Sequence, residues 1–191
     1  APMSTIITSI DPGSPAMRAG LQPGQQLLSI NGHTVVDVLD YRFYGYDPVS
    51  HLSLKNKDGS TQKLTIHKAE GEDLGLNFDS YLMDEMRSCA NHCIFCFVDQ
   101  MPPGMRQTLY FKDDDARLSF LQGNYITLTN LTEREAQRII DLRISPINVS
   151  VHTTDPQLHC TMLGNKNAVR SLDYIRAFCK AGIVMNGQIV V

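Results

Sequence analysis

The chain has 191 residues, 42% hydrophobic and 19% charged, the balance of a globular protein of one domain or two small ones. Its formal net charge of −3 gives no electrostatic reason to expect nucleic acid or an anionic membrane surface as partner. No apolar run is long enough to span a bilayer, and residues 1–11 lack the charged start and apolar run of a secretion signal.

Residues 1–68 read as a small β-rich unit. Thr5–Ile10 is a β-branched strand, and Asp11-Pro12-Gly13 turns the chain. Ser14-Pro15 opens a short helix with a cap residue and proline at the first helical position, and Gly20 closes it. Gln25–Ile30 is a strand running into Asn31-Gly32, a strong hairpin signal. Asp37 caps a second helix through about Tyr46, with Val38 and Tyr41 on its inner face. His51–Lys57 and Thr61–His67 form a hairpin across Lys57-Asp58-Gly59-Ser60. Residues 69–78 are acidic with two glycines and read as a linker or strap.

From residue 79 the pattern changes to strand–helix alternation. Tyr81–Arg87 is the first expected strand, delivering Cys89 to a loop, and Asp114–Leu121 is helical. Tyr125–Thr129 is the second strand. Thr132 and Glu135 form a capping box for a helix with Ala136, Ile139, Ile140 and Ile144 at helical spacing. Ile147–Val151 is the third strand, His159 and Cys160 lie in a polar loop, Asn167–Ala181 is a helix ended by Gly182, and residues 183–191 contain the fourth strand. Such repetition implies parallel strands with right-handed crossovers.

The chemistry-bearing feature is Cys89-Ala90-Asn91-His92-Cys93-Ile94-Phe95-Cys96, a CxxxCxxC stretch. Thiolates select iron–sulfur clusters, Cu(I) or zinc. Three on one short loop can hold three irons of a cubane, leaving one iron open to a small molecule. Zinc wants four ligands, commonly as paired CxxC knuckles, and no second knuckle exists. His92, His152, His159, Cys160 or Cys179 could complete a zinc site only through the fold. The cysteines number five, and three are clustered, which argues against a disulfide framework and for a reducing cytoplasm.

Cys89, Cys93 and Cys96, with Phe95 before the last cysteine, resemble the signature of radical S-adenosylmethionine (radical SAM) enzymes. CIFCFVDQMPPGMR, LYFKDDDARLSFL and GNYITLTNL resemble, more narrowly, a prokaryotic family of radical SAM-like Fe–S proteins with an N-terminal PDZ-like domain. GSPAMRAGLQPGQQLLSING is similar to a bacterial-type PDZ unit. The resemblance implies a PDZ-like domain over 1–68, a linker over 69–78, and a partial (βα)6 barrel of about four parallel strands over 79–191, as an N-terminal fragment of a longer protein. It implies a [4Fe–4S] cluster on Cys89, Cys93 and Cys96 whose open iron chelates S-adenosylmethionine. Reductive cleavage to a 5′-deoxyadenosyl radical, acting on an unknown substrate, would follow in the full-length protein.

By position Phe95 inherits a main-chain contact to the cofactor's adenine. The Gly-Gly-Glu-like segment that many relatives use for the amino group is missing, and Thr129 and Asn130 stand in its place. His152, at the end of the third strand on the same rim, reads as a cofactor or proton-transfer residue or as a structural histidine. Lys112-Asp113-Asp114-Asp115-Ala116-Arg117 reads as a solvated helix start, and the resemblance adds a pocket-shaping role for Asp114, Asp115 or Arg117. The carboxylate-binding loop and ligand-pairing strand of a PDZ domain are not visible upstream of Thr5. The unit therefore reads as a docking domain for a protein partner or as a peptide binder. The apolar edge formed by Ile189, Val190 and Val191 is expected to make homo-oligomers. The alternative function is a non-catalytic PDZ-like docking protein with a structural zinc or Fe–S site.

Overall fold

The computed structural model describes residues 5–190, which divide into two compact units, one ending at Glu85 and the other beginning at Met86. In the first unit, β1 (Ile7–Ile10) leads to α1 (Pro15–Arg18), where the Ser14 hydroxyl accepts from Met17 N at 3.2 Å. β2 (Gln26–Ile30) and β3 (His33–Thr34) form a hairpin across Asn31-Gly32, whose φ values of 52° and 82° are those the tight turn demands. Asp37 caps α2 (Val38–Tyr44), accepting from Leu39 N at 2.9 Å. β4 (Val49–Lys55) and β5 (Thr61–His67) pair from Val49↔His67 to Lys55↔Thr61, completing an antiparallel sheet of order β3-β2-β4-β5. Alternation along β4 sends Ser50, Leu52 and Leu54 inward against Leu27, Ile30 and Ile66.

The acidic segment 69–78 is more than a linker. Leu76–Phe78 forms β6, antiparallel to β1 with Ile10↔Leu76 and Ile7↔Phe78 in register. Leu74 and Leu76 are buried, and Gly75 has φ +81° with its missing Cβ only 2.2 Å from Ser14 Cβ, so no larger residue fits there. The expected strand over Tyr81–Arg87 does not form. Leu82 and Met83 are buried, Leu82 O accepts from Val38 N at 3.3 Å, and Met83 sits at φ 64°, incompatible with a continuing ladder. The apolar pair that suggested a strand is used as cover for the first unit.

The second unit holds a 3₁₀ turn at Gln107–Tyr110, α3 (Ala116–Gln122), α4 (Glu133–Asp141), β7 (Ile147–Ser150), α5 (Pro156–Leu163), α6 (Val169–Lys180) and β8 (Met185–Gln188). The Thr132–Glu135 capping box is present, with Thr132 N donating to Glu135 Oε2 at 2.9 Å. β7 and β8 are parallel, with Ile147↔Met185 and Ser150↔Gln188 in register.

The expected barrel of four parallel strands is reduced among the described residues to this pair and one parallel bridge, Ile126↔Val149. Over 125–129 the ladder stops because Leu128 adopts φ 60° and Thr127 turns its amide and hydroxyl to Asp114. His159 and Cys160, expected in a polar loop, lie on α5 instead. Asp155 caps it, Pro156 takes its first position, and Gly164 ends it in the left-handed conformation. No helix among the described residues is long and apolar enough to cross a membrane.

Candidate functional site

The cysteine stretch has no regular structure of its own, so other segments must hold it. Cys89 N donates to Lys112 O at 2.6 Å, beside a Ser88↔Asp113 bridge. On its other side, His92 N donates to Leu163 O and Ile94 N to Met162 O, both at 3.0 Å, at the C-terminal end of α5. A Cβ on Gly164 would lie 2.2 Å from His92 O, so the loop passes close because residue 164 has no side chain. Cys96 N closes a turn on Cys93 O at 3.0 Å.

All three thiols are half-buried. Burial, then the neighbouring Cys89 and Cys96, push the Cys93 thiol up to about 11, and burial likewise raises Cys89. The mutual influence means that the three sulfurs share one neighbourhood. The raised Cys89 and Cys93 thiols are protonated at neutral pH in the metal-free chain, so metal loading at these two releases protons. No group of three or more His, Cys, Asp or Glu side chains among the described residues converges on a single ion. Three soft thiolates on one short loop are donors of the type that iron–sulfur clusters and zinc both take.

Around the loop lies a polar rim. Asn91, 1% exposed, donates from Nδ2 to Thr127 Oγ1 at 3.0 Å. Its Oδ1 accepts from Thr129 Oγ1 at 3.0 Å and from Asn165 Nδ2 at 2.7 Å. Lys112 Nζ donates to Asn91 O at 2.9 Å and to both Asp99 carboxylate oxygens at 2.9 and 3.0 Å. Asp114 joins the rim through Thr127, whose N and Oγ1 lie 2.6 and 2.5 Å from its carboxylate. Burial pushes the Asp114 carboxyl up to about 6 despite those bonds.

The expectation of a solvated charge run over 112–117 is corrected here, since Asp114, Asp115 and Arg117 are 2%, 1% and 7% exposed. Burial alone would raise the Asp115 carboxyl. The Arg117 guanidinium, donating to it at 2.8 and 2.6 Å, outweighs that and holds it below the usual carboxylate range.

Phe95 and His152 meet, with ring centroids 4.4 Å apart and tilted 54°. His152 has φ 58°, and its Nδ1 accepts from Val190 N at 3.2 Å, so its neutral ring carries hydrogen on Nε2. Thr129 is committed to Asn91, and Asn130 Nδ2 donates to Ser88 O at 3.3 Å. His159 is fully buried on α5, between Val151 O at 3.0 Å and Ser171 Oγ at 2.8 Å, while Cys179 is exposed on α6. Neither joins the three-cysteine group.

Sequence reasoning passed over Asn91, Asn165 and Lys112. A hydrogen-bonded asparagine carries no pattern of its own, and only its place between two cysteines pointed to it.

A radical SAM-like domain matches residues 68–191, more than half of the chain, including all three clustered cysteines. The chain belongs to the radical SAM-like family. A PDZ domain matches residues 6–55 of the first unit, so this radical SAM-like protein carries the N-terminal module its sequence suggested. No curated protein matches it.

Proposed function

We propose that this radical SAM-like protein holds a [4Fe–4S] cluster on Cys89, Cys93 and Cys96 and binds S-adenosylmethionine beside it, in the cytoplasm. The observation that carries this reading is the grouping of three half-buried, mutually interacting thiols on one short loop inside the matched domain. When bound and reduced by an external one-electron donor, the cluster would supply the electron for cleavage of the sulfonium to methionine and a 5′-deoxyadenosyl group at the radical level, which would take hydrogen from a substrate of unknown class. The chain's own part is to present thiolates, exclude water and orient the cofactor. The Phe95 main chain is offered to adenine, the His152 Nε2–H to an acceptor on the cofactor, and the Asn130 Oδ1 to its amino group. Thr129 acts through Asn91. Electron paramagnetic resonance of the dithionite-reduced protein should change when S-adenosylmethionine is added. An unchanged spectrum from a cluster-loaded sample would defeat the reading.

The first unit supports a protein partner. β6 pairs with β1 by one edge, and no strand pairs with its other edge among the described residues. This edge lies downstream of β5 rather than upstream of Thr5, and an extended partner segment would add to it there. Gly75 N and Leu76 N are already bound to Asp73 Oδ1 and Tyr41 Oη at 2.7 and 3.2 Å. Capture of a terminal carboxylate there should be weak, and internal extended segments are the better ligands.

A further inference from the structure

The most highly connected polar side chain near the cysteines among the described residues is Asn91, which enters the proposed function only as the partner through which Thr129 acts. Its side-chain amide makes three hydrogen bonds to three different residues, at 3.0, 3.0 and 2.7 Å, and its backbone O takes a fourth from Lys112 at 2.9 Å. These partners come from the 125–129 rim, the residue following the Gly164 cap, and the segment before α3. Asn91 N also approaches Cys89 Sγ at 3.4 Å. A buried amide this fully satisfied is costly to disturb, because each removed partner leaves the other unpaired in a site of low dielectric.

We infer that Asn91 is the positioning residue of the cysteine loop, its amide clamping the spacing of Cys89 and Cys93 to the Thr127–Thr129 rim and to Asn165. The inference rests on the cluster reading for its purpose but not for its geometry. The loop lacks helix and strand bonds of its own. Its shape depends on two backbone contacts with α5, on the Cys89–Lys112 contact, and on this clamp. Of these, only the clamp is made by a side chain at a position between the first two cysteines. Thr129 is the clamp's second half. Its hydroxyl donates to Asn91 Oδ1 and lies 2.9 Å from Thr127 Oγ1, so Thr129→Val removes both contacts of the hydroxyl at nearly constant shape while Thr129→Ser keeps them.

The test uses the full chain with Asn91→Ala, Thr129→Val and Thr129→Ser, read two ways. In the metal-free protein, iodoacetamide alkylation resolved by mass spectrometry gives a rate for each thiol. After anaerobic reconstitution, iron is counted per chain. Asn91→Ala should accelerate alkylation of Cys89 and Cys93 by about tenfold, the loss of roughly 1.4 kcal/mol of local restraint. Cys160, half-buried on α5, should stay near its wild-type rate, since global loosening would speed it equally. Thr129→Val should follow in the same direction and Thr129→Ser should behave as wild type. Both disruptive variants should hold less than half the wild-type iron.

If Asn91→Ala does not fold, Thr129→Val against Thr129→Ser decides. Wild-type alkylation rates in the disruptive variants overturn the inference, as does acceleration of Cys160 alongside the others. A wild-type chain that takes up no iron overturns the proposed function, and the alkylation rates still decide the clamp.

Discussion

Replacing Cys93 by alanine leaves two thiolates on the loop, too few to hold three corners of a cubane. Cys93→Ala should therefore lose essentially all iron on reconstitution, while Cys179→Ala, on the exposed face of α6, should keep the wild-type amount. Iron retained by the first variant and lost by the second would reverse the ligand assignment. A second residue-scale consequence concerns pH. Burial lowers the pKa of His159 from its model-peptide value of 6.5, so the unfolded chain takes up the proton first as pH falls. The stability this neutral histidine confers is present above about pH 6.5 and is lost as pH falls below it. Asp114 has the opposite sign. Its carboxyl rises from 3.8 to about 6 on folding, so protonation between those values favours the folded state. Thermal melts from pH 7.5 down to pH 5 should show a shallower loss of stability in His159→Gln than in wild type, and a steeper one in Asp114→Asn. Identical slopes in all three proteins would show that neither group is buried in the ionisation-sensitive way described.

At the scale of elements, β6 sets the extent of the first unit. A chain of residues 3–68 lacks Leu74 and Leu76, each buried and contributing about 2 kcal/mol, on a unit whose total margin is small. Residues 3–85 should give dispersed amide resonances and a cooperative melt, and residues 3–68 should not. Equal dispersion in both would show that β6 is an accessory strand.

Asn31-Gly32, the Asp37 cap, the Thr132–Glu135 capping box and the β4–β5 alternation were legible because each signal is local and acts within a few residues. β6 was not, because a short acidic Gly-containing stretch becomes a strand only through pairing with β1, far away in sequence. The strand expected at Tyr81–Arg87 failed for the complementary reason, since its apolar residues pack without a ladder. Asp155-Pro156 and Gly164 did mark α5, but the polar character of the segment hid a helix whose buried face is His159 and Leu163. The three cysteines were fully legible, whereas the clamp made by Asn91 and the burial of Asp114, Asp115 and Arg117 were not. Buried polar residues are defined by partners, and partners are tertiary.

On the scale of the whole molecule, the parallel pair β7–β8 leaves one edge of β8 without a strand among the described residues, and Ile189 beyond it is 63% exposed. The chain of residues 1–191 should therefore self-associate through 183–190, seen as dimer or larger mass by light scattering. A monomer at high concentration would show that this edge is otherwise protected. The central claim concerns the cluster, and metal analysis reaches it most directly. Anaerobically purified and reconstituted protein should contain about four iron and about four acid-labile sulfide per chain. Stoichiometric zinc without sulfide would contradict the account and leave a PDZ-like docking protein with a structural metal.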